Sequence, residues 1–158
     1  MPNKKQTNNF YYSFDINNAH IVSLNSEIPY DFDSSYKSDF QDWLSKDLKS
    51  SNKKWKIVYL HRPLYCSFES DYHCGSSAQK MRELLEEILM ENKVDLILAG
   101  HVHTYERLYP VYDGKIDFKS MNKDRSVYTN PNYPVHVVCG AAGNHNELYG
   151  GKFCFYIF

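Results

Sequence analysis

Two apolar runs frame one amphipathic segment, and that arrangement limits the chain more than any other feature. Trp55-Lys56-Ile57-Val58-Tyr59-Leu60 reads as a short strand. From Ala78 to Asn92, Met81, Leu84, Leu85, Ile88 and Leu89 recur at helical spacing, with Glu83, Glu86 and Glu87 on the opposite side. Val94-Asp95-Leu96-Ile97-Leu98 reads as a second buried strand. A β-loop-α-β unit of this kind predicts parallel neighbours, because the crossover helix returns the chain to the starting edge of the sheet. Both strands then end at the same edge, and each ends near a histidine: His61 directly after Leu60, and His101 after Ala99-Gly100. Forty residues apart in sequence, the two are predicted to converge.

The second strand runs into Gly100-His101-Val102-His103. Gly100 is expected to supply the sharp turn. In extended backbone His101 and His103 project to one side, because the strand period is two. Neutral imidazole is a common ligand of zinc and iron, and the carboxyl ends of strands are where open α/β sheets bind ligands. On position alone, His61 reads equally as a structural histidine or as a ligand.

Upstream, Phe10 to Asp15 and Ala19 to Asn25 form a hairpin pattern across Asn17-Asn18. His20 lies inside its second strand and reads as structural. Residues 28–35 read as a loop, with Ser34 or Ser35 able to cap a helix over Tyr36 to Ser50 whose apolar stripe is Phe40, Trp43, Leu44 and Leu48. Residues 76–77, Ser76 and Ser77, read as caps of the crossover helix. Downstream, Pro134 to Cys139 is a further strand pattern, leading into Gly140-Ala141-Ala142-Gly143-Asn144-His145.

The formal net charge of −1 argues against a nucleic-acid partner recruited by bulk electrostatics, and gives no pull toward an anionic membrane. The N-terminus is polar, with no signal-peptide pattern, and residues 1–9 are expected to be a disordered lead. No apolar run approaches the ~18 residues of a membrane span. The four cysteines show no Cys-x-x-Cys pair. Cys66 and Cys74 either staple the loop between them or stay as free thiols.

Gly100-His101-Val102-His103, continued by Thr104-Tyr105-Glu106-Arg107-Leu108-Tyr109-Pro110, resembles the last metal motif of the purple acid phosphatases, a branch of the calcineurin-like metallophosphoesterases. Leu24-Asn25-Ser26-Glu27, His61-Arg62-Pro63-Leu64-Tyr65-Cys66-Ser67 and Val138-Cys139-Gly140-Ala141-Ala142-Gly143 resemble further segments of that family. The resemblance runs from Tyr11 onward and matches the C-terminal part of the family's catalytic domain. It implies an α/β fold: a mixed sheet flanked by helices, forming part of the metallophosphoesterase β-sandwich and leaving one apolar face uncovered. Residues 10–158 are expected to be a partial catalytic domain, truncated at both ends.

The same resemblance implies a metal-dependent acid phosphatase. Such an enzyme hydrolyses a phosphate monoester with a hydroxide held at a binuclear centre of Fe(III) plus Fe, Zn or Mn(II). Residue by residue, His103 maps to the iron, and His61 with His101 to the divalent metal. His73 maps to a histidine that assists phosphate or the leaving group, and otherwise reads as an exposed histidine. Asn144 and His145 are read as non-ligands, because the family's Gly-Asn-His motif lies upstream of the His61 position. The family's Asp-x-Gly, Gly-Asp-x-x-Tyr and upstream Asn motifs have no counterpart in place here, so the isolated chain is expected to be inactive. The alternative is a non-catalytic metal-binding remnant or binding module. By family analogy the localisation is secreted or lysosomal, and the complete enzyme leaves room for a homodimer.

Overall fold

The computed structural model describes residues 4–6, 9–67 and 74–141. Its strands are β1 (Lys4–Gln6), β2 (Tyr11–Ile16), β3 (Ala19–Leu24), β4 (Trp55–Leu60), β5 (Leu96–Ala99), β6 (Tyr105–Arg107), β7 (Val111–Tyr112), β8 (Lys115–Ile116) and β9 (Val135–Cys139). Its α-helices are α1 (Ile28–Asp31), α2 (Ser34–Ser50) and α3 (Ser76–Glu91). Seven strands form one mixed sheet in the order β1-β2-β3-β4-β5-β9-β6, and β7 pairs with β8 separately. β3, β4, β5 and β9 are successively parallel, while β1-β2, β2-β3 and β6-β9 are antiparallel.

The alternation of side chains divides the sheet into two unlike faces. Across β2 to β9, the register aligns Ser13, Val22, Val58, Ile97 and His136 in one row, all buried. The row beside it, Phe14, Ile21, Ile57, Leu96 and Val135, faces the other way and is only half-buried. On that second face Leu98 is 37% exposed and Ile16 46%.

The first face carries the core. Phe40, Leu44 and Leu48 of α2 and Met81, Leu84, Leu85 and Leu89 of α3 cluster with Val22, Leu24, Val58, Leu60 and Ile97. Each fully buried aliphatic side chain contributes about 1.5–3 kcal/mol by leaving water. This burial fixes α3 as the crossover between β4 and β5, with Ile57 beside Leu96 and Leu60 beside Ala99.

Lys4–Gln6 pairs antiparallel with Phe14–Tyr12 along the hairpin edge. Several local expectations are corrected. The 28–35 stretch contains the short helix α1, with a proline in its first turn. Asp33, rather than either serine, caps α2 by accepting the Tyr36 N–H at 2.9 Å, because the helix starts two residues earlier. Ser76 and Ser77 lie inside α3, and Gly75 stands at its cap with no side-chain bond.

His20 is structural, as expected. Its Nδ1 lies 2.8 Å from Asp15 Oδ1 and its Nε2 2.9 Å from Asp47 Oδ2, so the ring joins the hairpin to α2. Ser13 Oγ donates to the other Asp47 oxygen. Beyond β6, the connection to β9 is closed by Asp117, whose carboxylate accepts both the backbone and side-chain N–H groups of Asn132.

Candidate metal centre

Because β4 and β5 are parallel neighbours, their C-terminal ends lie side by side, and the backbone continues that pairing one step further. The Gly100 N–H donates to the His61 carbonyl at 3.0 Å. His61 Nε2 then stands 3.1 Å from His101 Nδ1, with the two rings edge-to-face and their centroids 4.9 Å apart. His61 is exposed and His101 half-buried, so the pair opens to solvent.

The turn itself departs from expectation. Gly100 has no left-handed backbone; the reversal occurs at His101, whose φ is +65°. The Val102 N–H donates to the Gly100 carbonyl at 2.7 Å, and the Thr104 N–H to the Val102 carbonyl at 2.7 Å, so two tight three-residue turns follow one another. A positive φ at a β-carbon-bearing residue is costly and persists only where surroundings hold it. His101 and His103 therefore do not project from extended backbone as the His-x-His spacing suggests. His103 is half-buried on the same turn.

One ion pair stands beside His101. Arg62 is held by Glu27 through two bonds, Nε to Oε1 at 2.8 Å and NH2 to Oε2 at 3.0 Å. Its backbone N–H donates to Ser26 Oγ, and its guanidinium lies over the Tyr30 ring. The remaining nitrogen sits 3.4 Å from His101 Nε2. The Arg62 hydrogen bonds hold the Glu27 carboxyl below its usual range against the opposing pull of burial. Leu24-Asn25-Ser26-Glu27 thus has a physical part in the site that its sequence alone does not disclose.

Glu106, to which the sequence pattern alone gives no role, is buried beside the turn. Its Oε2 accepts the Ser67 N–H at 2.8 Å, and its Oε1 accepts the Thr104 hydroxyl at 3.0 Å. Cys66, one residue before Ser67, is disulfide-bonded to Cys74, with Cα atoms 5.6 Å apart. Of the two alternatives left open for these cysteines, the staple is the one formed. Cys139 is free and exposed.

Two nitrogens bound to one tetrahedral ion at ~2.0–2.1 Å lie about 3.3 Å apart. The 3.1 Å separation of His61 Nε2 and His101 Nδ1 fits two ligands of one such ion. Among the described residues no group of three histidine, cysteine or carboxylate side chains converges to hold a metal, so this pair is a partial donor set. His73, Asn144 and His145 lie outside the described residues.

Comparisons with known proteins identify the family. The family model for calcineurin-like phosphoesterases matches residues 2–105. Purple acid phosphatase 21 of Arabidopsis thaliana is 37% identical over 143 residues, which cover 89% of this chain and 28% of that protein. Acid phosphatase type 7 of Danio rerio is 35% identical over 158 residues, covering 87% of this chain and 35% of that protein. Among solved structures, a purple acid phosphatase from yellow lupin (Lupinus luteus) seeds aligns with a TM-score of 0.67 and 27% identity, over 87% of this chain and 24% of that one. The chain spans roughly a third or less of the length of these relatives. The chain belongs to the calcineurin-like phosphoesterase family.

Proposed function

We propose that this chain carries the histidine side of a metal-dependent acid phosphatase site that acts on phosphate monoesters. The observation that carries the reading is the 3.1 Å approach of His61 Nε2 to His101 Nδ1 at the ends of two parallel strands. In this reading His61 and His101 hold a divalent ion, Fe, Zn or Mn, and His103 serves a neighbouring Fe(III). When bound, such a pair of ions supplies Lewis acidity toward a phosphoryl oxygen and lowers the pKa of water.

The chain's own residues hold the geometry. His61 and His101 offer ring nitrogens at a solvent-open edge. Arg62, neutralised by Glu27, places a guanidinium beside His101 without adding net charge to the site. His73, eight residues beyond Tyr65 in the disulfide loop, is proposed to donate a proton or hydrogen bond to the leaving group, an effect worth roughly 10²–10⁴-fold in rate. The domain reading is proposed likewise: residues 10–158 as the C-terminal part of a catalytic domain whose other ligands come from elsewhere. Names of the relatives, purple acid phosphatase and acid phosphatase, support the reaction class. The Cys66–Cys74 bond supports an oxidising, secreted or lysosomal setting. Among the described residues no helix is long and apolar enough to cross a membrane.

The second reading is a metal-binding module without turnover, and the two-histidine donor set favours it for the isolated chain. Hydrolysis of p-nitrophenyl phosphate at acidic pH, with and without added Fe and Zn, separates the two. The phosphatase reading expects turnover when the missing ligands are supplied by the rest of a longer protein, and loss of it in His61→Ala. Metal uptake without turnover in that longer protein would leave only the module.

A further inference from the structure

The glycine-rich stretch after β9 has no part in the site as read so far, yet Gly140 sits against the turn that carries His101 and His103. Its N–H donates to the Thr104 carbonyl at 3.2 Å. A β-carbon placed on Gly140 would lie 2.1 Å from the Val102 carbonyl oxygen and 3.1 Å from the Gly100 carbonyl carbon. These are backbone atoms of the turn, which cannot swing aside as a flexible side chain would. Only glycine lets β9 approach this closely.

On the other flank, Glu106, a residue only 2% exposed, ties the Thr104 hydroxyl to the Ser67 N–H. A buried carboxylate left without its donors is costly, so both bonds persist together. The turn is therefore gripped at Thr104 from two sides, through its carbonyl by Gly140 and through its hydroxyl by Glu106. Between the grips stands His101 at φ +65°, a conformation that needs external support.

We infer that Gly140 and Glu106 are positioning residues: they hold the Gly100–Thr104 turn so that the His101 ring faces His61. The function of this device rests on the reading of His61 and His101 as metal ligands. Groups that orient ligands typically change metal affinity ten- to a hundred-fold when lost.

The test compares Gly140→Ala, Thr104→Val and Gly114→Ala with the unaltered chain. Gly114 also has a positive φ, +67°, but nothing lies within 4 Å of where its β-carbon would be, so its substitution strains backbone without touching the turn. Thr104→Val removes a single hydroxyl and keeps the test open if Gly140→Ala does not fold. Two readouts are taken: affinity for Co(II) by its visible absorption, and, without metal, the nuclear Overhauser contact between the rings of His61 and His101. Gly140→Ala and Thr104→Val are expected to weaken Co(II) binding about tenfold or more and to lose the ring contact, while Gly114→Ala keeps both. Unchanged affinity and ring contact in Gly140→Ala would overturn the role of Gly140, and the same in Thr104→Val that of Glu106. If the unaltered chain takes up no Co(II), the metal reading fails, and the ring contact alone decides: lost in Gly140→Ala and kept in Gly114→Ala supports the positioning role, kept in both overturns it.

Discussion

His61 and His101 meet at 3.1 Å because β4 and β5 are parallel neighbours whose last paired residues are Leu60 and Ala99. Had the crossover produced an antiparallel pair, the two histidines would lie at opposite ends of the sheet. The core that sets this register, Val58 and Ile97 under Leu85 and Leu89, is thus part of the reason the candidate site exists. Two other histidines, His20 and His136, couple stability to pH, and they do so with opposite signs.

His20 is held between Asp15 and Asp47 through both ring nitrogens, and only a doubly protonated ring donates to both. Burial pulls its pKa down, but the hydrogen bonds and charges of Asp47 and Asp15 more than offset that, and the pKa is raised. A raised folded pKa means the contribution is fully present below pH 6.5 and is lost as the pH climbs through the folded value. Urea midpoints measured from pH 6 upward should fall with pH for the unaltered chain and stay flatter over that window for His20→Gln. Equal slopes would refute the assignment.

His136 behaves in the reverse sense. Complete burial on the core face pushes its pKa down to about 3, against a small opposing effect from its backbone bond with Val111. The folded chain keeps it neutral while the unfolded chain takes up a proton below about pH 6.5. Stability is therefore lost on acidification between those values, at up to about 1.4 kcal/mol per pH unit from this group. A chain proposed to work in acid carries this as a cost. His136→Phe, if the ring is accommodated beside Tyr65, should reduce the acid-side slope; an unchanged slope would show that His136 is protonated in the fold.

Reduction of Cys66–Cys74 should destabilise the chain by about 2–3 kcal/mol, the loop-closure value for a bridge this short. The Ser67 N–H bond to Glu106 lies next to Cys66, so the Ser67 amide should also exchange faster on reduction. Thermal unfolding with and without reductant, followed by exchange at Ser67, checks both; no change in either would mean that the bridge does not hold Ser67 in place.

What was legible in the sequence was periodic or sequential. The β4-α3-β5 unit followed from apolar spacing, and the convergence of His61 and His101 followed from the unit. The hairpin and the structural role of His20 were also visible there. What could not be read depends on contacts between distant residues. Nothing in Gly100-His101-Val102 says that the histidine, rather than the glycine, takes the left-handed backbone, because Gly140, far along the chain, enforces it. Asp33 takes the cap because α2 starts at Ser34, which puts both serines inside the helix. The pairing of Glu27 with Arg62 crosses from the end of β3 to the end of β4, and only the parallel register brings those ends together.

The most direct test of the His61–His101 site is a zinc or cobalt titration of the purified chain, with His61→Ala and His101→Ala alongside. The unaltered chain is expected to bind about one equivalent of divalent metal, and either substitution to weaken binding at least tenfold while the folded state is retained. Metal bound with equal affinity by all three proteins, or by none of them, would contradict the claim that His61 and His101 form the centre of the site.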